Sequence, residues 1–212
     1  MSEQMGALAQ SFALEAGLDI VSTTVNSLKD IELAFSKQCD LLLSFGSGVI
    51  VPDDVLQSPG LTAINIHAAS PDYPGRDPHH FALYHEAKEY GATLHYMIDK
   101  VDQGRIVDVE LFDVPEGISA TDLLAKANEA GIKLMRRFFA CYANSGAPVP
   151  RADLAWAGRK SRRSDFFELC RINCQMSEAE FLRRMYSTAM PEYNNLYIEI
   201  HGYRFRLEGK VK

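Results

Sequence analysis

An amide and an imidazole stand two residues apart in Asn65-Ile66-His67, at the end of the apolar run Leu61–His67. In an extended chain that spacing puts both side chains on one face, about 6 to 7 Å apart along the strand. Two such groups aimed the same way can hydrogen-bond one oxygen as it gains negative charge. Asp102-Gln103-Gly104 supplies a carboxylate in the loop between two later strands, where it can hold an imidazole in its cationic form or relay a proton. Ser44–Pro52 (SFGSGVIVP) is a third feature, whose two glycines leave backbone N–H and C=O groups open to a flat heterocycle. Each alone has an ordinary structural explanation as a cap, a satisfied polar group or a turn. Their order along the chain is what carries information.

The elements that must position these groups alternate between strand and helix. Gln4–Glu15 has helical apolar spacing and stops at Gly17; Asp19–Val25 is β-branched and reads as a strand. Ser27 caps a second helix with Leu28, Ile31 and Phe35 inside, and Cys39–Phe45 reads as a strand buried on both faces of a parallel sheet. Pro52–Leu56 is a short helical turn and Leu61–His67 a strand, followed by a Pro/Gly-rich loop and a helix from about His79 to Glu89 that closes at Gly91. Ala92–Ile98 and Arg105–Val114 are two further strands. A long helix capped by Thr121 runs to Asn144, with Leu124, Ala127, Gly131, Leu134, Met135, Phe138 and Tyr142 inside. This order predicts an α/β fold: an open, mostly parallel twisted sheet with helices on both faces.

Composition bounds the alternatives. The 212 residues are 47% apolar and 24% charged, which excludes a disordered chain, and no apolar run approaches the ~20 residues of a membrane span. The first 17 residues lack the basic start of a signal peptide, so cytoplasmic residence is expected, with Cys39, Cys141, Cys170 and Cys174 as free buried thiols. His79, His80 and His85 have no acidic partner at a recognised ligand spacing, so no metal is expected. Ser145–Pro150 reads as a linker. Beyond it, residues 151–212 hold 12 Lys/Arg against 8 Asp/Glu, while the preceding 150 hold 10 against 20. The basic stretch Arg159, Lys160, Arg162 and Arg163 is either a solvated loop or a phosphate contact.

Read together, NIHAASPDYPG (65–75), PHHFALY (78–84), GATLHYMIDKVDQG (91–104) and IVDVELFDV (106–114) resemble the core of the folate-dependent formyltransferases. The family pattern of N-x-H, a Pro/Tyr/Gly loop, G-x-T-x-H and D-x-G is met by Asn65, His67, Tyr73, Gly75, Gly91, Thr93, His95, Asp102 and Gly104. The resemblance covers roughly residues 18–144. It implies transfer of a formyl group from 10-formyltetrahydrofolate to an amine. Asn65 and a protonated His67 would stabilise the tetrahedral oxyanion, and Asp102 would keep His67 charged and help move the proton. It further implies a pterin site on Phe45, Gly46, Val49 and Val51 and on Ile98 and Asp99, with Ser70, Tyr73, Gly75 and His80 on the acceptor side.

The sequence also departs from the family. The usual H-P-S-L-L-P is here His67-Ala68-Ala69-Ser70-Pro71, about one residue short, and Met1 aligns past the family's first strand, helix and second strand. The glycine-rich phosphate turn used for glycinamide ribonucleotide is missing from the sequence, which counts against that substrate. Either Asp19–Val25 pairs directly with Cys39–Phe45 in a trimmed sheet, or the chain is N-terminally short of the family's domain. Residues 157–207 resemble the C-terminal extension of sugar N-formyltransferases, with Arg183-Arg184 on a short helix (about Ser177–Tyr186) and a hairpin (Leu196–Ile200, Tyr203–Leu207) around His201-Gly202. The expected organisation is therefore a catalytic domain over 1–144, a linker over 145–150 and an appendix over 151–212. The favoured acceptor is a nucleotide-linked amino sugar, with no nucleic-acid or membrane partner, and with dimerisation through the appendix or the long helix. The alternatives are a methionyl-tRNA formyltransferase-like enzyme, a formyl-folate hydrolase, or a non-catalytic relic of the fold.

Overall fold

The computed structural model describes residues 2–35, 39–190 and 194–207. The elements run α1 (Glu3–Glu15), α2 (Leu28–Phe35), β1 (Leu41–Phe45), α3 (Asp53–Leu56), β2 (Thr62–His67), α4 (Pro78–Tyr84), β3 (Glu89–Tyr96), β4 (Ile106–Asp113) and α5 (Ala120–Ser145). After them come α6 (Arg163–Cys170), α7 (Glu178–Thr188), β5 (Tyr197–Ile200) and β6 (Tyr203–Arg206).

The class is α/β, with a four-stranded sheet in the order β1-β2-β3-β4. Its pairing corrects the parallel expectation: β1 and β2 are parallel, but β2 with β3 and β3 with β4 are antiparallel. Continuous apolar runs reflect burial on both faces, and an antiparallel strand sandwiched between two layers reads the same way. Asp19–Val25 forms no strand of the described sheet, and Val21 is fully exposed. β-Branched residues favour an extended backbone, but a strand exists only through a paired neighbour. β1 lies at the sheet edge, so most of its residues are half-buried instead of covered on both sides.

One face of the sheet packs on α5. Phe45, Ile64, Ile66, Ala92 and Leu94 meet Ala130, Leu134, Met135 and Phe138 there, and α1 closes the cluster with Phe12 and Ala13. Gly131 permits the close approach: a Cβ at that position would sit 2.5 Å from Phe45 Cζ and 3.0 Å from Ile66 Cγ2. The helix starts two residues earlier than expected, because Ser119 accepts the Asp122 N–H, and Leu123 rather than Leu124 turns inward. The irregular segment after α5 runs back along the sheet on the side that carries His95. There Arg151 N–H bonds the Ile106 carbonyl and Trp156 Nε1–H bonds the Gly104 carbonyl. Helix α4 ends at Tyr84, and Gly91 lies inside β3, where a Cβ would come within 2.0 Å of the Glu110 carbonyl.

The C-terminal elements dock on α4. Tyr84 donates to Glu180 of α7 at 2.7 Å, and Arg184 bonds the carbonyls of Glu168, Leu169 and Arg171, satisfying the end of α6. Helix α6 had no counterpart in the sequence reading. The hairpin did, and His201 and Gly202 both take the positive φ of a two-residue turn. Of the four thiols, Cys170 is buried and Cys39 half-buried, but Cys141 and Cys174 are exposed.

Candidate active site

Strand β2 delivers Asn65 and His67 to the face away from α5, as their spacing requires. Asn65 is the cross-strand partner of His95 in β3, and its amide nitrogen lies 3.0 Å from His95 Nε2. The other imidazole nitrogen, Nδ1, is 2.8 Å from the Tyr96 carbonyl. A carbonyl only accepts, so Nδ1 carries the proton and Nε2 accepts from the Asn65 amide. That fixes the carboxamide with its second N–H unpartnered among the described residues.

Asp102 reaches the same place from the β3–β4 connection. It is buried, takes a positive φ of 52°, and accepts the Gly75 N–H at 3.0 Å. Its carboxylate lies between two imidazoles, with Oδ2 3.7 Å from His67 Nδ1 and Oδ1 3.5 Å from His95 Nε2. Burial pushes the Asp102 carboxyl up, while the Gly75 N–H and any proton that His95 or His67 carries on the side facing it pull it down; the balance lies below its ordinary value, so it is ionised near neutral pH. For His67, burial is the largest influence and outweighs the pull of Asp102 and the Tyr73 carbonyl; its pKa lies below the ordinary 6.5. Asp102 thus favours the cationic His67 that was expected, while burial works against it. In the neutral ring Nε2–H donates to the Tyr73 carbonyl at 2.9 Å, leaving the Nδ1 lone pair toward Asp102. A proton arriving here has a ready place between ring and carboxylate.

The remaining predicted residues divide. Tyr73 and Gly75 join the cluster through backbone groups, while the Tyr73 ring stacks on His85. Ser70 is buried with an Oγ that has no hydrogen-bond partner among the described residues. His80 does not face an acceptor; it is buried, with Nδ1 2.7 Å from the Ser187 carbonyl and its ring between His79 and Phe166. The Phe45 side chain points into the α5 core, whereas Gly46 is exposed and Val49 and Val51 are half-buried beyond the end of β1. Met97 N–H bonds the Ala63 carbonyl, so Ile98 and Asp99 emerge beside the start of β2, while Gly46 leaves beside its end.

Amide, imidazoles and carboxylate thus share one sheet face in the order the sequence pattern required. The family model described as Formyl transferase matches residues 29–138, just over half of the chain. The chain belongs to the formyl transferase family. A methionyl-tRNA formyltransferase of Listeria innocua is 31% identical over 125 residues, 58% of this chain and 40% of that protein. The chain thus spans about two fifths of the length of this curated relative. Among solved structures, a sugar N-formyltransferase from Shewanella sp. superposes with a TM-score of 0.71 at 20% identity, over 94% of this chain and 79% of that one. The N-formyltransferase of Helicobacter canadensis, solved in complex with folinic acid and dTDP-3-aminofucose, gives 0.63 at 19% identity, over 90% of this chain and 66% of that one. At these identities the likeness is one of fold.

Two contributors to this formyl transferase site had no assigned role in the sequence reading. His95 was visible as the last residue of G-x-T-x-H, and its period-two match with Asn65 across the strands could have found it. Trp156 gave no signal, since it lies 52 residues beyond the Gly104 carbonyl that it bonds.

Proposed function

We propose that this chain transfers a formyl group from 10-formyltetrahydrofolate to the primary amine of a nucleotide-linked amino sugar. The observation that carries the reading is the convergence of Asn65, His67, His95 and Asp102 on one face of the sheet. The residues present suit such a donor: beside the second Asn65 N–H, the exposed backbone around Gly46 can meet a flat heterocycle, with Val49 and Val51 as its apolar flank. Ile98 and Asp99, in the loop that leads to Asp102, complete the proposed pterin contact. When bound, 10-formyltetrahydrofolate supplies an electrophilic formyl carbon.

The chain's own residues then do the following. The second N–H of Asn65 hydrogen-bonds the formyl oxygen as it becomes an oxyanion, and His95 keeps the amide facing it. Asp102 and the Nδ1 of His67 receive the proton that the attacking amine loses. The same proton, held between ring and carboxylate, is returned to the departing nitrogen. Burial of the cluster keeps bulk water from taking it.

The amino-sugar acceptor is supported by the extent of the likeness. Similarity to the sugar N-formyltransferase extends over 94% of the chain, whereas the methionyl-tRNA formyltransferase match covers 58%. That sequence match favours formylmethionyl-tRNA synthesis as the second reading. A soluble, reducing cytoplasm is the compartment that suits such substrates; among the described residues no helix is long and apolar enough to cross a membrane. Dimerisation and the division at 145–150 belong to the same proposal. The test is release of tetrahydrofolate from 10-formyltetrahydrofolate with dTDP- and GDP-linked amino sugars, with methionyl-tRNA, and with no acceptor. Turnover on an amino sugar supports the reading, turnover on the tRNA alone selects the second, and an untouched donor overturns both.

A further inference from the structure

The segment between α5 and α6 does more than connect. It contains the single tryptophan of the chain. From Arg151 to Ser161 it is bonded along the site: Arg151 N–H to the Ile106 carbonyl (2.9 Å), Ala157 N–H to the Pro71 carbonyl (3.2 Å) and Ser161 N–H to the Pro74 carbonyl (2.9 Å). Gly158 is pressed so closely onto the loop that a Cβ would lie 1.7 Å from the Asp72 carbonyl. Between these ties Trp156 donates Nε1–H to the Gly104 carbonyl at 2.8 Å, and Gly104 closes the loop that carries Asp102. The indole stands edge-on to both imidazoles, with centroids 5.1 Å from His95 at 82° and 6.0 Å from His67 at 62°. Both lie in the range where aromatic pairs attract.

We propose that Trp156 is a positioning residue for the catalytic cluster: its indole, hung from the Gly104 carbonyl, holds His67 and His95 against Asp102 and shields them from water. This rests on the formyl-transfer reading for its effect on rate, but not for its effect on the histidines. The groups facing His67 are Asp102, His95 and the Tyr73 carbonyl; those facing His95 are Asp102, the Asn65 amide and the Tyr96 carbonyl. Trp156 supplies the apolar cover over both rings. Because burial is the largest influence on His67, removing that cover lets the ring take up a proton more easily.

The experiment compares the full chain with Trp156→Ala and Trp156→Phe by NMR titration of the histidine rings and by steady-state kinetics. The alanine variant is expected to raise the His67 midpoint toward 6.5 and to lower kcat by roughly tenfold to a hundredfold with the donor KM little changed. The phenylalanine variant keeps an aromatic cover without the Gly104 bond, and should hold the His67 midpoint near that of the parent. A His67 midpoint unchanged in the alanine variant overturns the proposal. So does a rise in donor or acceptor KM at constant kcat, which would make Trp156 part of a binding surface. Should alanine unfold the chain, Trp156→Phe still decides: a lowered kcat with the His67 midpoint held near that of the parent supports the anchor, and an undiminished kcat excludes it. A parent chain inert on every amine, with histidines that respond as described, would sink the formyl-transfer reading while leaving the positioning role standing.

Discussion

Asn65 and His95 face one another across β2 and β3, amide nitrogen to Nε2, and the proton on the far side of the His95 ring decides which way the amide turns. The second Asn65 N–H is therefore set before any substrate arrives. Asn65→Ala should lower kcat by about 10² to 10³, equivalent to ~2.7–4 kcal/mol of barrier, the usual loss for one oxyanion donor. His95→Phe, which keeps a ring but no acceptor, should lose less. Tetrahydrofolate release at saturating substrates measures both, and equal rates in parent and Asn65→Ala would refute the role.

Asp102 is separable from its structural contact. Asp102→Asn retains an oxygen for the Gly75 N–H but has no carboxylate between the imidazoles. Activity should fall by roughly 10² to 10⁴, the range for acid–base groups. Because folding lowers the Asp102 pKa, its ionised form adds stability that is complete above the ordinary 3.8 and is lost as pH falls below it. Denaturant unfolding from pH 7 down to pH 3 should show a shallower acid decline in the variant.

Gly104 lies where the chain has no room. A Cβ there would stand 1.7 Å from the Tyr96 carbonyl and 3.5 Å from His95 Nδ1, and backbone cannot yield as a flexible side chain does. Gly104→Ala should destabilise the fold by about 1–3 kcal/mol and displace Asp102 as well. Thermal unfolding and turnover should fall together; a variant with parental Tm would show that the loop has slack.

His79 and His80 sit ring to ring at 4.1 Å beneath α6 and α7. Burial, reinforced by His80, pushes the His79 pKa down to about 3. A ring kept neutral by folding binds fewer protons folded than unfolded, so stability rises with pH and is lost progressively as pH drops from 6.5 toward 3. His79→Phe should flatten Tm between pH 7 and pH 4. A slope identical to that of the parent would mean that the proton is accommodated elsewhere.

Much of the site was readable because period two is a strong local signal. Asn65 and His67 had to share a face once Leu61–His67 was recognised as a strand, and Asp102 followed from the D-x-G turn. The cofactor residues were less accessible to such reasoning. Phe45 obeys the same alternation but falls on the α5 side, and Ile98 follows β3 in a loop whose place beside the start of β2 only the pairing shows. His80 looked like a substrate contact because its helix follows the catalytic loop; its burial depends on Ser187, 107 residues later. Asp19–Val25 has the composition of a strand, yet composition cannot supply the neighbour that a strand needs. The antiparallel entry of β3 likewise depends on the 21-residue connection from β2, long enough for a crossover yet used here for a return in the opposite direction.

The strap that carries Trp156 has a practical corollary for anyone recombining these enzymes. Exchanging C-terminal ends at the apparent Ser145–Pro150 junction, to borrow another acceptor preference, would also exchange the lid over the proton-handling rings. A chimaera cut after Ser161 instead would inherit its native roof and differ in α6, α7 and the hairpin alone. Crossover points in this scaffold are thus better chosen by what covers the histidines than by where prolines and glycines cluster.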